Sequence, residues 1–359
     1  MLPYYNFFII EIGLLVFLAL TRRQIIQNLL VFVFISILVL FAGLRGLVGI
    51  DTSSYHLIFK SINLNPDSIS EWFVFEPLFS IYMILIRFFS DDAYIFTFII
   101  AFTQGVIIFL ITRKHPNKVI FLTLYISAFY IQNQFNIIRA GLAGLLLIYV
   151  YAQKTEGKDY SLPLIFSILC HYSALIALPF LIDKKYKFRL LALLVVSTIA
   201  FVAIGGVERV SDKLMHYFVD SIFFSEGTIQ INLFFIVIVC LILIAHVLAN
   251  KKHGYQMHFL VGFVILLKIL EMRFPALWRV HDLIYFLWLS ITSYSIGSNI
   301  FSKKSIPILL ICMCNLYALY NNMLNEDKLL LDRAQDTGEL SSSIVESPLI
   351  PYRTLFDEH

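Results

Sequence analysis

Long apolar stretches separated by short polar connections dominate the sequence. They cover residues 4–20, 25–43, 74–89, 93–112, 118–134, 137–152, 161–182, 189–206, 229–249, 255–272, 282–300 and 305–323. A helix of roughly 20 apolar residues crosses the hydrocarbon core of a bilayer. The pattern therefore predicts an all-α, polytopic helical integral membrane protein with about 10–12 membrane segments and short loops.

Basic clusters between the apolar stretches bear on the topology. They lie at Arg22–Arg23, Arg113–Lys118, Lys154–Lys158, Lys184–Arg189, Lys251–Lys252 and Lys303–Lys304. Lys and Arg beside membrane helices prefer the cytoplasmic side. If every apolar stretch crossed, the clusters at 113–118 and 154–158 would lie outside. We therefore favour about ten crossings, with 74–89 and 161–182 as re-entrant segments and both termini outside.

The composition excludes a sizeable soluble domain. Hydrophobic residues make up 59% of the chain and charged residues 14%, with a mean hydropathy of +0.83, whereas soluble domains carry roughly 25% charged residues. We predict that residues 1–324 form one transmembrane domain and that residues 325–359 form a polar tail on the outer side. The lipid bilayer is the expected surrounding, and no nucleic-acid partner is expected.

Two polar stretches near the start of the chain carry candidate chemistry. Arg45–Tyr55 follows the apolar stretch 25–43 directly, and Phe75–Phe79 comes shortly after it. Asp51 and Glu76 are candidate general bases, because a positioned carboxylate can accept the proton of an attacking hydroxyl group. Asp51 is also a candidate helix N-cap, and the two roles are compatible.

Several charges lie at positions where a membrane protein tolerates few of them. A charge at a helix centre costs about 2.5–3.5 kcal/mol on insertion scales, so it usually pairs or lines a cavity. Arg139 would either bind an anion with its planar fork of donors or extend to the membrane interface. The small residues of Ala140–Gly144 allow close helix packing or the approach of a bulky substrate.

A second charged group occurs later in the chain. Lys268 and Glu271 are three residues apart and could pair on one helix face. Arg273 and Arg279, with His281 nearby, could bind a diphosphate and transfer a proton, or they could touch lipid phosphates. His171 interrupts its apolar stretch and is either a structural histidine or part of a site.

The sequence indicates no cofactor and no metal. It contains no Asp-x-Asp triplet, no His-x-x-x-His and no Gly-rich nucleotide loop, and its four cysteines show no Cys-x-x-Cys spacing. Hard cations are normally held by several oxygen ligands, and redox or zinc cysteines usually occur in close pairs. We therefore expect metal-independent chemistry.

The polar stretches, taken in their order along the chain, resemble those of the EpsG-type, Wzy-like family of bacterial polysaccharide polymerases. The resemblance extends over essentially the whole chain. The matching pieces are Arg45–Tyr55, Glu76–Phe79, Phe135–Arg139, His171–Leu175, Arg279 with Tyr285–Phe286, and Pro351–Arg353. One position departs from the family pattern, since Ala140 stands where the family often has glutamine. If that amide contacts substrate, the contact is absent here or comes from Gln132 or Gln134.

The resemblance implies a glycosyltransferase of the bacterial inner membrane whose active site faces the periplasm. Its substrates would be oligosaccharide repeat units on undecaprenyl diphosphate, joined into O-antigen of lipopolysaccharide, capsule or exopolysaccharide. Its partners would include a chain-length regulator and other polysaccharide-assembly proteins. The implied reaction is displacement at an anomeric carbon with a diphosphate leaving group.

The resemblance also implies roles for single residues. Arg139 and Arg279 would bind the diphosphate, with Arg45 supporting or positioning it. One of Asp51, Glu76 and His171 would be the base. The other expected substrate-binding residues are Tyr55, Asn136, Arg273, His281 and Tyr285.

Two alternatives remain at this level. An O-antigen ligase would need the same arginines and histidine but usually has a larger outer loop than the 44–73 connection. A flippase or other transporter of lipid-linked oligosaccharide would carry charges along a path through both halves of the membrane. The favoured topology instead places the charges on one side, which argues for chemistry there.

Overall fold

The computed structural model describes residues 2–49, 51–64, 75–182, 233–249, 255–271, 277–297, 300 and 302–337. Within these ranges the chain is helical and contains no β-strand. Among the described residues, four helices are long and apolar enough to cross a membrane, namely Pro3–Leu20, Gln24–Gly43, Ala93–Lys114 and Ser305–Leu324. The prediction of an all-α, polytopic membrane protein is confirmed.

The described elements follow one another as α1 (Leu2–Leu20), α2 (Gln24–Gly43), α3 (Thr52–Ser61), α4 (Pro77–Phe89), α5 (Ala93–Lys114), α6 (Lys118–Leu124), α7 (Ile138–Thr155), α8 (Ser161–Cys170), α9 (Leu178–Leu181), α10 (Leu233–Ala249), α11 (Tyr255–Glu271), α12 (Trp278–Tyr294) and α13 (Ser305–Thr337). Two π-helical turns, Tyr125–Phe129 and Gln132–Asn136, follow α6, and a 3₁₀ turn, Tyr172–Ala177, precedes α9. The boundary expected after residue 324 lies inside α13, and the domain division stays a prediction.

Helices α2 and α5 are antiparallel, and this determines whether the 74–89 stretch crosses the molecule. Gly43 at the end of α2 packs against Phe98 near the start of α5. Lys118, just after α5, donates a hydrogen bond of 2.8 Å to Asn28 near the start of α2. The chain therefore leaves α2 and enters α5 at the same end of the molecule. Helix α4 does not cross between the two ends, in agreement with the expected re-entrant or half-depth segment.

The 161–182 stretch also turns back. Ser167 on α8 donates to the Ala143 carbonyl of α7 at 2.8 Å, so α8 runs antiparallel to α7. The helix breaks at His171, and the Leu181 carbonyl accepts a hydrogen bond from Lys154, at the far end of α7, at 2.8 Å. The ten residues of α8 rise only about 15 Å. This stretch is a re-entrant hairpin with His171 at its tip.

The two ends of the molecule differ in charge. Lys118 lies near the start of α2, and Lys114 donates to Gln153 beside Lys154 at 2.6 Å. We call this the basic end. The opposite end, where α2 finishes and α7 and α12 begin, is called the site end. The basic clusters of the described residues at 22–23, 113–118 and 154–158 therefore share one end, as the topology requires.

The start of α7 depends on glycine and on irregular backbone. The two π-helical turns lead to Ile137, whose φ of −112° and ψ of 58° end the segment, and α7 starts in the opposite direction. A Cβ at Gly141 would lie 2.6 Å from the Asn133 carbonyl oxygen. The small residues of 140–144 therefore serve close packing here. Irregular helical turns of this kind are frequent at functional sites.

Candidate functional site

Glu76 contacts two residues that are far from it in the sequence, Arg139 and His171. One carboxylate oxygen of Glu76 forms an ion pair with Arg139, and the other lies 2.8 Å from Nδ1 of His171. Their side chains are only 10%, 14% and 18% exposed, respectively. The turn before α4, the first turn of α7 and the tip of the re-entrant hairpin each supply one member.

Arg139 has further contacts that fix its orientation. Its Nε donates to the hydroxyl of Tyr55 at 3.0 Å, and its guanidinium lies 4.2 Å from the centre of the Phe75 ring. We call Tyr55, Phe75, Glu76, Arg139 and His171 the Glu76 cluster. Phe75 was not among the predicted site residues. Its position beside Glu76 in a polar turn was the available signal, but aromatics are too common in this chain to be singled out.

The environment of Glu76 keeps its carboxylate charged. Burial by itself would raise the pKa of Glu76, but the hydrogen bond from His171 and the charge of Arg139 outweigh it and lower the pKa to about 2. Nδ1 of His171 is therefore the donor to an ionised carboxylate, which leaves Nε2 outside this contact. A carboxylate that orients a histidine in this way is a common arrangement for general bases.

Asp51 and Arg279 form a second, more open pair. Asp51 Oδ2 lies 3.7 Å from Nη2 of Arg279, and the side chains are 24% and 39% exposed. Burial raises the pKa of Asp51, against the opposing charges of Arg279 and Arg139. The charge of Arg139 thus acts on both carboxylates, which places the two pairs in one electrostatic site. The Arg279 guanidinium also lies 5.3 Å from the Trp278 ring.

Asp51 occupies the N-cap position of α3, yet its carboxylate makes no capping hydrogen bond. Thr52 instead donates its hydroxyl back to the Val48 carbonyl at 2.7 Å. The backbone of Asp51 therefore begins the helix, while its side chain faces Arg279 and does not cap the helix.

Arg45 and Gly49 hold the loop that carries Asp51 in place. Arg45 is 1% exposed, and it donates to the carbonyls of Ala42 at 2.5 Å and Val48 at 3.1 Å. Gly49 has a φ of +109°, and a Cβ there would lie 2.1 Å from the Phe135 carbonyl oxygen. Arg45 therefore holds the loop backbone, and its expected role of supporting or positioning the diphosphate stays a prediction.

The amides around Ala140 make contacts within the protein. Asn136 donates to the Gln132 side chain at 2.9 Å, and Gln134 donates to the Tyr125 hydroxyl at 3.4 Å. Asn136 and Gln134 are buried. The expected role of Asn136 in substrate binding therefore stays a prediction, and neither glutamine is directed at the Glu76 cluster by these hydrogen bonds.

His281 lies in a separate acidic surrounding on α12. Its Nδ1 is 3.3 Å from Glu271 Oε2 and also 3.3 Å from Asp282 Oδ1. The His281 ring stacks on Tyr285, with centroids 5.5 Å apart. The predicted pairing of Lys268 with Glu271 is confirmed at 3.0 Å. Asp282 is the neighbour of His281 in the sequence, whereas Glu271 reaches His281 only through the packing of α11 against α12.

The remaining expectations concern Arg273 and metals. Arg273 lies outside the described residues. In the described part of the chain, no group of three or more His, Cys, Asp or Glu side chains is placed to hold a metal ion. Metal-independent chemistry stays a prediction.

The comparisons with known proteins point to one family. A family model described as the EpsG family matches residues 28–332, a range that includes every residue of the Glu76 cluster and the Asp51–Arg279 pair. No curated protein and no solved structure matches the chain.

Proposed function

The chain belongs to the EpsG family, and on that premise we propose that it is a membrane glycosyltransferase that polymerises lipid-linked oligosaccharide repeat units. Family membership indicates a polysaccharide polymerase-like membrane protein. The finer proposal is that the repeat units are carried on undecaprenyl diphosphate. The growing chain is transferred from its lipid diphosphate to a hydroxyl group of the next unit.

The observation that carries this proposal is the meeting of Arg139, Arg279, Glu76, Asp51 and His171 at one end of the molecule. Departure of a diphosphate develops negative charge, and donors aimed at such charge are usually the largest catalytic contribution. Arginine matches phosphate oxygens with paired donors. Arg279 is the more exposed of the two and would make the first contact with the diphosphate, while Arg139 supplies a fixed positive charge behind it.

The proposed step requires a base near the leaving group. The base removes the proton of the attacking hydroxyl, the oxygen bonds to the anomeric carbon, and the bond from that carbon to the diphosphate oxygen breaks. Glu76 uses both carboxylate oxygens on Arg139 and His171, so we assign it to orientation. Asp51 and Nε2 of His171 remain as the candidates for the base.

We further propose that the site end faces the periplasm across the inner membrane. The support is the position of Arg22–Arg23, Arg113–Lys118 and Lys154–Lys158 at the opposite end, because basic residues beside membrane helices prefer the cytoplasm. In this orientation the re-entrant hairpin enters from the cytoplasmic side and presents His171 to a site that opens outward.

The test of function is a gel of surface and lipid-linked glycans from cells that lack the gene. Exported single repeat units that are never lengthened would support a polymerase. Long chains that accumulate on the lipid carrier would instead identify a ligase, and the absence of any exported unit would identify a flippase.

The test of orientation is thiol labelling in intact cells. Arg279→Cys at the site end should react with a membrane-impermeant reagent added outside, since its position is 39% exposed. Lys158→Cys is the matched control, because Lys158 is 62% exposed at the basic end and should react only after the cells are opened. The reverse pattern would contradict the proposed orientation.

A further inference from the structure

A cavity lies at the basic end, remote from the Glu76 cluster. Its volume is about 420 Å³, and it lies between the α1–α2 turn and the α5–α6 turn. Its described polar side chains belong to Gln24, Gln27, Arg113, His115, Asn117 and Lys118. The 22 residues of α5 separate it from the site end by about 33 Å.

The walls of this cavity are fixed by hydrogen bonds between its turns. Lys118 and Gln24 both donate to the Asn28 side chain, at 2.8 and 3.1 Å. Gln27 donates to the Thr21 carbonyl at 2.7 Å. These bonds join the beginning of α2 to the beginning of α6 and close the α1–α2 turn, so the cavity is formed before any ligand arrives.

His115 contributes structure and no charge. Its Nδ1 accepts a hydrogen bond from the backbone N–H of Asn117 at 3.0 Å, so Nε2 is the nitrogen that donates to the Ser293 hydroxyl at 2.9 Å. Because one ring nitrogen is an acceptor, the ring is neutral. The charge of the cavity therefore comes from Arg113 and Lys118.

Arg113 and Lys118 differ from the neighbouring Lys114. Lys114 forms an ion pair with Glu156 at 2.8 Å, whereas in the described part of the chain neither Arg113 nor Lys118 pairs with a carboxylate. Among the residues that the structure describes, the cavity lining contains no acidic side chain. Two like charges that line one preformed cavity without an acid favour an anionic ligand, and Arg together with Lys suits phosphate oxygens.

We propose that this cavity binds a phosphate-bearing anion, and that its occupant is the headgroup of an anionic phospholipid. Basic pockets between membrane helices on the cytoplasmic side bind such headgroups. Beside the cavity, Ile25 and Leu29 of α2 are 85% and 60% exposed and offer an apolar surface for acyl chains. The proposal rests on the proposed orientation of the basic end toward the cytoplasm, but it does not depend on the glycosyltransferase function.

The test uses the full-length protein purified in a neutral detergent. Its thermal unfolding temperature is measured while phosphatidylglycerol, phosphatidylcholine or inorganic phosphate is added, because a ligand of the folded state raises that temperature. We expect phosphatidylglycerol to raise it more than phosphatidylcholine does. In the R113Q/K118Q variant, the concentration needed for half of the rise should increase about tenfold or more.

The matched control is R22Q/R23Q, which removes two positive charges at the same end from residues that do not line the cavity. Its lipid response should equal that of the unmodified protein, and equal losses in both double variants would overturn the proposal. A rise with inorganic phosphate alone would keep the anion site but replace the lipid as its occupant. If R113Q/K118Q does not fold, R113Q and K118Q are tested singly, and an unchanged response in both overturns the proposal.

Discussion

The Glu76 cluster and the Asp51–Arg279 pair each join an arginine to a carboxylate, but they differ in burial and in contact. Arg139 is 14% exposed and is held by Glu76, Tyr55 and the Phe75 ring. Arg279 is 39% exposed and stands 3.7 Å from Asp51. The buried Arg139–Glu76 ion pair, here called the inner pair, is shielded from solvent. The Arg279–Asp51 ion pair, here called the outer pair, has a longer separation and is partly exposed to solvent.

This difference separates two kinds of contribution. A buried ion pair needs both partners, since removal of one leaves an uncompensated charge that costs about 3–5 kcal/mol. An exposed pair contributes about 0–1 kcal/mol to stability. Breaking it so that one of its side chains contacts a substrate instead therefore costs little free energy. We therefore propose that Arg139 sets the electrostatic field and the shape of the site, whereas Arg279 and Asp51 contact the ligand.

The largest effect is expected for Arg139→Gln. The substitution leaves Glu76 without its buried cation, so we expect polymer to disappear and the free energy of unfolding to fall by about 3–5 kcal/mol. Glycan gels measure the first effect, and thermal unfolding in detergent measures the second.

The double variant E76Q/R139Q distinguishes stability from function. It removes both charges together, so the unfolding temperature should recover in part while polymer stays absent. Polymer of normal length in Arg139→Gln would remove Arg139 from the site.

The outer pair should lose function without losing stability. In Arg279→Ala, we expect polymer formation to fall by about 10²–10³-fold while the free energy of unfolding changes by no more than about 0.5 kcal/mol. Arg87→Ala removes the arginine of another arginine–aspartate pair, in which Arg87 is 17% and Asp91 85% exposed, and serves as a control for the loss of an arginine that belongs to neither pair of the site. A loss of polymer in both variants would show that any arginine at this end has the same effect.

Asp51→Asn decides between the two candidate bases. The amide keeps the shape of the side chain but accepts no proton, so a loss of about 10²–10⁴-fold is expected if Asp51 is the base. The rate is measured from the length distribution of polymer over time. A near-normal rate would assign the base to Nε2 of His171, and His171→Gln would then show the larger loss.

Sequence reasoning singled out most residues that the structure brings together in the candidate site, but not their pairing. The hydrophobic pattern and the basic clusters are local features, and they were sufficient to predict the helical membrane class and the two segments that turn back. Glu76 and His171 are 95 residues apart, and only the packing of α4 against the re-entrant hairpin brings them together. The burial of Arg45 likewise follows from three-dimensional contacts, because its sequence position beside Gly46 also fits an exposed loop.

The loop below Asp51 should be sensitive to a single methyl group. In Gly49→Ala, the new Cβ would lie 2.1 Å from the Phe135 carbonyl oxygen at a φ of +109°, so the loop must move and Asp51 with it. We expect polymer formation to fall about tenfold, because displacement of a reacting group by a fraction of an ångström is costly.

Gly157→Ala is the control for backbone strain. Gly157 also has a positive φ, of +69°, but nothing lies within 4 Å of the position of its Cβ. We expect this variant to lose about 1–2 kcal/mol of stability and to retain polymer synthesis. If both variants behave alike, the close contact with Phe135 has no role in placing Asp51.

The smallest effect is expected for Tyr55→Phe, which bears on how rigidly the inner pair must be held. The substitution removes one hydrogen bond to the Arg139 guanidinium, at 3.0 Å, and leaves the ion pair with Glu76 and the Phe75 contact in place. A hydrogen bond to a charged group contributes about 1.5–3 kcal/mol, but the remaining contacts limit how far Arg139 can move. We therefore expect a modest fall in unfolding temperature and a several-fold reduction in polymer formation, measured side by side with Arg139→Gln. If Tyr55→Phe abolishes polymer while stability is unchanged, the Tyr55 hydroxyl takes part in the reaction itself, and the assignment of a purely structural role to the contacts around Arg139 is wrong.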